Sequence, residues 1–219
     1  MLRNKFQREM ETLNSELVQM GTVVEKALSD TIVALIEQDK DLCEQVTIAE
    51  KTIDKMRTDI ESRALRVLLM QQPVARDLRM ISTALKIISD LERIGDQARD
   101  ICGIVVELCD ENYQINLEIL PQMAELSKTM VRSCVDSFVK QDVDMAAKII
   151  EMDTGMDELF DKLKAKLLKM LKKKTDYADQ LLYFLMIGKY FEKIGDHAEN
   201  IAQWIIFSRS GIHKSVKIL

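Results

Sequence analysis

Two glutamate–aspartate pairs, Glu92/Asp96 and Glu192/Asp196, occupy matching places in an eleven-residue phrase that the chain spells twice, one hundred positions apart. Leu91-Glu92-Arg93-Ile94-Gly95-Asp96-Gln97-Ala98-Arg99-Asp100-Ile101 returns as Phe191-Glu192-Lys193-Ile194-Gly195-Asp196-His197-Ala198-Glu199-Asn200-Ile201. A duplicated core segment would repeat only its apolar residues; this one repeats its acids too. On a helix, residues four apart are separated by about 40°, so each pair sets both carboxylates on one face. Asp100 extends that stripe in the first copy and Asn200 in the second. Ile94, Ala98, Ile101 and Val105 take the other side, so the acids point outward or into a surface groove.

A second set of acids, Glu50/Asp54 and Asp153/Asp157, lies upstream in each half. If the chain folds back at Pro73, Glu50 stands as far before the turn as Asp96 stands after it, and Asp54 as far as Glu92. A turn between Lys174 and Thr175 matches Asp153 with Asp196 and Asp157 with Glu192 in the same way. Each hairpin would then gather four carboxylates at one level. Like charges so placed repel, unless solvent screens them or a cation binds between them. Oxygen-only donors suit hard cations, Mg²⁺, Ca²⁺ and Mn²⁺, and iron where several carboxylates bridge metals. The bland alternative is a solvated acidic surface, the ordinary fate of a single pair. Four pairs in register with two turns weigh against it. Gly95 and Gly195 stand inside both phrases. A mid-helix glycine costs about 0.8–1 kcal/mol relative to alanine, so its recurrence implies a close approach, by a ligand or by a neighbouring helix.

The elements that would position these acids are helices. Periodicity predicts them near 3–38, 42–71, 75–109, 119–140, 143–173 and 177–208, followed by a short tail. Asp39 to Asp41 and Gln141-Asp142 supply acids that suit helix N-termini. Pro73 ends the second helix, because the residue before proline avoids the α region. Pro121 fits the first turn of the fourth, and Thr175 or Asp176 can cap the sixth. The halves align throughout, Glu37-Gln38-Asp39-Lys40-Asp41 answering Lys140-Gln141-Asp142-Val143-Asp144. Short connections make neighbours antiparallel. The fold class is therefore all-α, with six long helices in two pseudo-symmetric antiparallel three-helix bundles. Residues 1–112 form the first repeat and 118–219 the second, with the break at Asn112-Tyr113-Gln114-Ile115-Asn116. Whether the halves share one core stays open at this point.

Composition narrows the function. Two prolines and seven glycines are too few for the turns of an all-β fold. A net charge of -5 argues against a nucleic-acid partner, which would need Lys and Arg to neutralise phosphates. The longest uncharged runs, such as Val67 to Ala75, fall well short of the roughly 20 residues of a membrane span. Met1-Leu2-Arg3-Asn4-Lys5 lacks the apolar stretch of a secretory signal. Cys43, Cys102, Cys109 and Cys134 form no Cys-x-x-Cys and read as reduced thiols in a cytoplasmic protein.

The paired Glu-Arg/Lys-Ile-Gly-Asp phrases, the duplicated halves and Pro73-Val74-Ala75-Arg76-Asp77-Leu78-Arg79 at the first hairpin resemble the PhoU family of phosphate-uptake regulators, over nearly the whole chain. The resemblance implies a cytoplasmic regulator, not an enzyme, that damps phosphate import and the phosphate-starvation response. Implied partners are the ATPase of a phosphate ABC transporter and a phosphate sensor histidine kinase. The protein would reach the membrane peripherally, through those partners, and a homodimer is open. The family's Glu/Asp-x-x-x-Asp motifs bind metal clusters, iron foremost, with Mn, Mg or Zn as alternatives. Carried over by position, they assign metal to Glu50, Asp54, Glu92, Asp96 and Asp100 in one half. Asp153, Asp157, Glu192, Asp196 and Asn200 answer them in the other. The chain departs from an even repeat at Gly155, which would loosen its helix, and at Asn200, which replaces an acid. Its second hairpin is Lys-rich.

Two other functions compete. A di-metal carboxylate enzyme on a helical bundle would use Glu-x-x-His motifs, but Ile194 and Ser210 stand three residues before His197 and His213. A metal-free helical scaffold would carry the acids merely as solvated surface. Arg76 and Arg79 at one tip, with Lys169, Lys172, Lys173 and Lys174 at the other, read as complements to helix dipoles or as a docking surface. His197 reads as a lone exposed histidine, and Cys102 and Cys109 as packing side by side. Met10, Met20, Met56, Met70, Met80 and Met186 read as fillers of core gaps.

Overall fold

Apolar residues spaced three and four apart draw out six helices: α1 (Leu2–Glu37), α2 (Lys40–Gln71), α3 (Arg76–Asp110), α4 (Ile119–Lys140), α5 (Val143–Leu171) and α6 (Ala178–Ser210). In α1, for example, Leu13, Leu17, Met20, Val24 and Leu28 make one buried stripe. Each such side chain contributes roughly 1.5–3 kcal/mol of transfer free energy. The computed structural model describes residues 2–71, 73, 76–110, 118–173, 176–213 and 216–217. The expected break at Asn112–Asn116, and Lys174 and Thr175 of the second hairpin, lie outside them.

The two tight helix connections are built alike. Gln38 and Gln141 both turn left-handed, at φ 58° and 51°. Asp39 then accepts from the backbone N–H groups of Asp41 and Leu42 at 2.9 and 3.0 Å. Asp142 accepts from that of Met145 at 3.0 Å. These are side-chain caps on otherwise orphaned donors. The expectation of a cap on α6 fails at Asp176: Tyr177 holds the N-cap position, with no side-chain bond to the helix. The tail past α6 is not helical either. Gly211 ends the helix at φ 74°, and Ile212–His213 pairs antiparallel with Val216–Lys217. Two-residue strands leave too little pattern to be read from sequence.

Helices α1–α3 form one bundle and α4–α6 the other. Among the described residues α2 touches only α1 and α3, and α5 only α4 and α6. The bundles join through α1 with α4 and, more extensively, α3 with α6. Early α3 meets late α6: the Thr83 hydroxyl donates to the Trp204 carbonyl at 3.3 Å, and His197 meets Asp90 at 2.9 Å. One bundle therefore lies inverted against the other. A single hydrophobic cluster runs through all six helices, so the halves share one core.

Several side chains depart from the sequence reading. His197 is not exposed; 13% of its side chain is accessible, against Asp90 at 15%. Cys102 donates to the Thr31 hydroxyl at 3.6 Å and lines a cavity with Cys43 on α2. Cys109 instead donates to the Gln38 carbonyl at 3.4 Å. Met10 and Met20 are buried, and Met56 and Met80 pack against the core, but Met70 and Met186 face solvent. Gly155 does not loosen α5, which runs unbroken from Val143 to Leu171. No helix is long and apolar enough to cross a membrane, among the described residues.

Candidate metal centres

The seam between α2 and α3 brings three of the expected acids to a point. One carboxylate oxygen each from Glu50, Asp54 and Asp96 lie within 4.8 Å of one another. They converge because the two helices are antiparallel and pack closely at Gly95. A Cβ there would stand 3.0 Å from Ile53 Cδ1, between Glu50 and Asp54 on the facing helix. Glu50 is the deepest of the three, 6% exposed. Burial raises its pKa, Arg99 opposes that, and Asp54 and Asp96 add to the rise. Three carboxylate oxygens so gathered would suit a hard cation such as Mg²⁺ or Ca²⁺, which takes oxygen ligands.

Glu92 and Asp100 go elsewhere. Arg57 Nε approaches Glu92 at 2.9 Å, and its Nη1 lies 2.6 Å from Glu61. Arg99 bridges Glu50, Asp96 at 3.2 Å and Asp100 at 3.0 Å. Of the expected acids three thus converge, while Glu92 is paired with Arg57 and Asp100 is linked to the others through Arg99. Arg57 and Arg99 were not read as part of the site. The signal for Arg99 was present in its place three residues past Asp96, a spacing that faces two side chains together.

The α5–α6 seam repeats the plan with different counter-charges. Asp153 is the counterpart of Glu50, and its pKa is pushed up to about 7. Burial is the main cause, followed by Asp196, Glu199, Asp157 and Glu192. No hydrogen-bond donor reaches its buried Oδ1. That oxygen would lie 2.8 Å from a Cβ at residue 195, so Gly195 makes room for the carboxylate. Both repeated glycines therefore serve close helix approach, and Gly195 also clears a space for the acid. Lys189 holds both oxygens of Glu192 at 2.6 Å. Lys193 grips Asp196, which raises the lysine's pKa. Asp153, Asp157, Glu192 and Asp196 are thus in one electrostatic group, as their register implied. Glu199 joins it unforeseen. Asn200 keeps the place of Asp100 but brings no charge.

The donor chemistry fits a hard cation. Every candidate ligand offers a side-chain oxygen, a carboxylate in each case but Asn200; the first seam has three converging oxygens, and the second holds an unpartnered buried one. A cation would relieve the repulsion that raises Asp153 and satisfy its orphaned oxygen. His197 takes no part in either seam, being held by Asp90 on α3.

A duplicated three-helix unit with an acidic seam in each copy defines the class of protein, and comparison with known proteins gives the family. The family model described as the PhoU domain matches twice, over residues 17–105 and 120–205. The chain belongs to the PhoU family. It is 34% identical, over 96% of its length and 97% of the relative's, to the Clostridium acetobutylicum protein named phosphate-specific transport system accessory protein PhoU homolog. It is 30% identical, over 96% of its length and 87% of the relative's, to the Escherichia coli phosphate-specific transport system accessory protein PhoU. The crystal structure of PhoU from Pseudomonas aeruginosa superimposes with a TM-score of 0.91 at 31% identity, covering 94% of this chain and 99% of that one. The phosphate transport system regulatory protein PhoU from Streptococcus pneumoniae gives 0.88 at 26% identity, covering 94% and 97%.

Proposed function

We propose that this protein is a metal-binding regulatory adaptor of a phosphate-specific transport system, which restrains phosphate uptake and the starvation response when phosphate is plentiful. It makes no bonds itself. Its output is a shift in the conformational equilibrium of its partners, the transporter's ATPase and a phosphate sensor histidine kinase, met on the cytoplasmic side. Family membership and the naming of its relatives as accessory or regulatory proteins support the regulatory part.

The observation that carries the metal reading is the convergence of three carboxylates at the first seam, beside a group of interacting acids with one buried unpartnered oxygen at the second. Glu50, Asp54 and Asp96 would hold the ion of the first seam, and Asp153, Asp157, Glu192 and Asp196 that of the second. Asp100 and Glu92 would join on release from their arginines. Iron is the first candidate, with Mn²⁺, Mg²⁺ and Zn²⁺ next. The bound ion would supply positive charge that fixes each hairpin and an open coordination position toward solvent.

Arg99, lying among the acids of the first seam, favours a second reading in which arginine is the permanent counter-ion there and metal binds only the second seam. Elemental analysis separates them: Glu50→Gln/Asp96→Asn lowers metal content under the first reading and leaves it unchanged under the second. For the regulatory role, deleting the gene is expected to raise alkaline phosphatase and phosphate uptake in phosphate-rich medium. Unchanged output would refute that assignment.

A further inference from the structure

Cys43 on α2 and Cys102 on α3 face each other across the same seam as the first acidic cluster, about 10 Å further along it. Both are buried, at 3% and 1% exposure. The Cys102 thiol donates to the Thr31 hydroxyl at 3.6 Å, and Cys102 and burial together push the Cys43 thiol up. Of the other cysteines, Cys109 bonds the Gln38 carbonyl and Cys134 the Ala198 carbonyl. Helices packed at the usual axis spacing of about 8–10 Å bring facing Cα atoms near the 4.4–6.8 Å that a disulfide requires. The two thiols also line an open cavity of about 740 Å³, shared with Lys40, Arg99, Asp100 and Tyr190. That cavity brings a small oxidant beside the pair, and a slight opening of the seam admits it to the covered sulfurs.

We propose that Cys43 and Cys102 are an oxidation site, at which peroxide converts the facing thiols into an intramolecular disulfide that staples α2 to α3. One sulfur, as thiolate, attacks a peroxide oxygen. The O–O bond breaks, hydroxide leaves and takes up the thiol's proton as water, and a sulfenic acid remains. The second sulfur attacks the first, the S–O bond breaks, and the departing hydroxide takes the second thiol's proton as another water. Two electrons pass from the sulfurs to peroxide, giving one disulfide and two waters. The staple would fix the helix spacing about two turns from Glu50 and Asp96.

Hydrogen peroxide added to the native, full-length protein tests this directly. Alkylation should then count two free thiols where the reduced protein has four. Peptide mapping should find a Cys43–Cys102 link within one chain, and dithiothreitol should restore all four thiols. The oxidised protein should melt higher than the reduced one, by a shift that reductant removes. Cys43→Ala and Cys102→Ala should each abolish the link and the shift, whereas Cys109→Ala should keep both. If either alanine variant fails to fold by far-UV circular dichroism, mapping of the wild type alone decides. Four surviving thiols, a link between other cysteines or between chains, or sulfinic acid on unlinked Cys43 and Cys102 would overturn the proposal.

Discussion

Asp153 carries the sharpest residue-level consequence. An acid whose pKa rises from the ordinary value of about 3.9 to about 7 binds its proton more tightly in the folded state than in the unfolded one. Its contribution therefore favours folding at low pH and fades as pH climbs from about 4 through 7. In chelator-treated protein, stability should fall across that window, and Asp153→Asn should remove much of the fall, about 1–2 kcal/mol once solvent screening is allowed for, or about 2–8 °C in melting temperature. A melting curve with the same pH slope in wild type and variant would refute the assignment. The two repeated glycines differ in the same way. Gly95→Ala meets only the flexible end of Ile53, so clash and gained helix propensity should nearly cancel, within about 0.5 kcal/mol. Gly195→Ala pushes against the buried Asp153 oxygen and Met156 Cγ at 3.1 Å, and should cost about 1–3 kcal/mol in chemical denaturation. Equal costs at both positions would contradict the close approach described for Gly195.

At the scale of elements, the starts of α2 and α5 were legible because their chemistry is local, whereas that of α6, which lacks a side-chain cap, was not. Asp39 and Asp142 each stand one residue past a left-handed glutamine and bond the first-turn amides. Replacing either by alanine should lower stability by about 1 kcal/mol, read as a shift in denaturant midpoint at constant slope. A null effect at Asp142 would mean that its bond to Met145 carries no net energy. The register of the hairpins was legible as well, since counting residues from a turn fixes which side chains share a level. That count placed Glu50 with Asp96 and Asp153 with Asp196, and the same count would have set Cys43 opposite Gly103, next to Cys102. What it missed were partners chosen by charge rather than by level. Arg57 takes Glu92 from the cluster and Arg99 inserts between three acids, and neither choice follows from helical periodicity.

For the whole molecule, six helices in two pseudo-symmetric bundles could be read from the duplicated sequence, but the inverted way the bundles join could not. The α3–α6 contact depends on residues that the repeat does not share, such as Asp90 with His197 and Thr83 with Trp204. Trp204, the only tryptophan, sits in that seam with Lys86 over its ring at 5.6 Å. Because one core crosses both bundles, urea unfolding followed by Trp204 fluorescence and by helical circular dichroism should give coincident midpoints. Fluorescence changing well before helicity is lost would show the bundles separating first.

The central claim is that the acids of each hairpin hold an ion. Anomalous diffraction from crystals of protein purified without chelator, collected on both sides of the iron absorption edge, tests it most directly. A peak between Glu50, Asp54 and Asp96 and another beside Asp153 and Asp196 is the expected result, each lost in the corresponding Asp96→Asn or Asp153→Asn protein. Flat anomalous maps at the iron, manganese and zinc edges, with the arginine and lysine contacts intact around every acid, would contradict it.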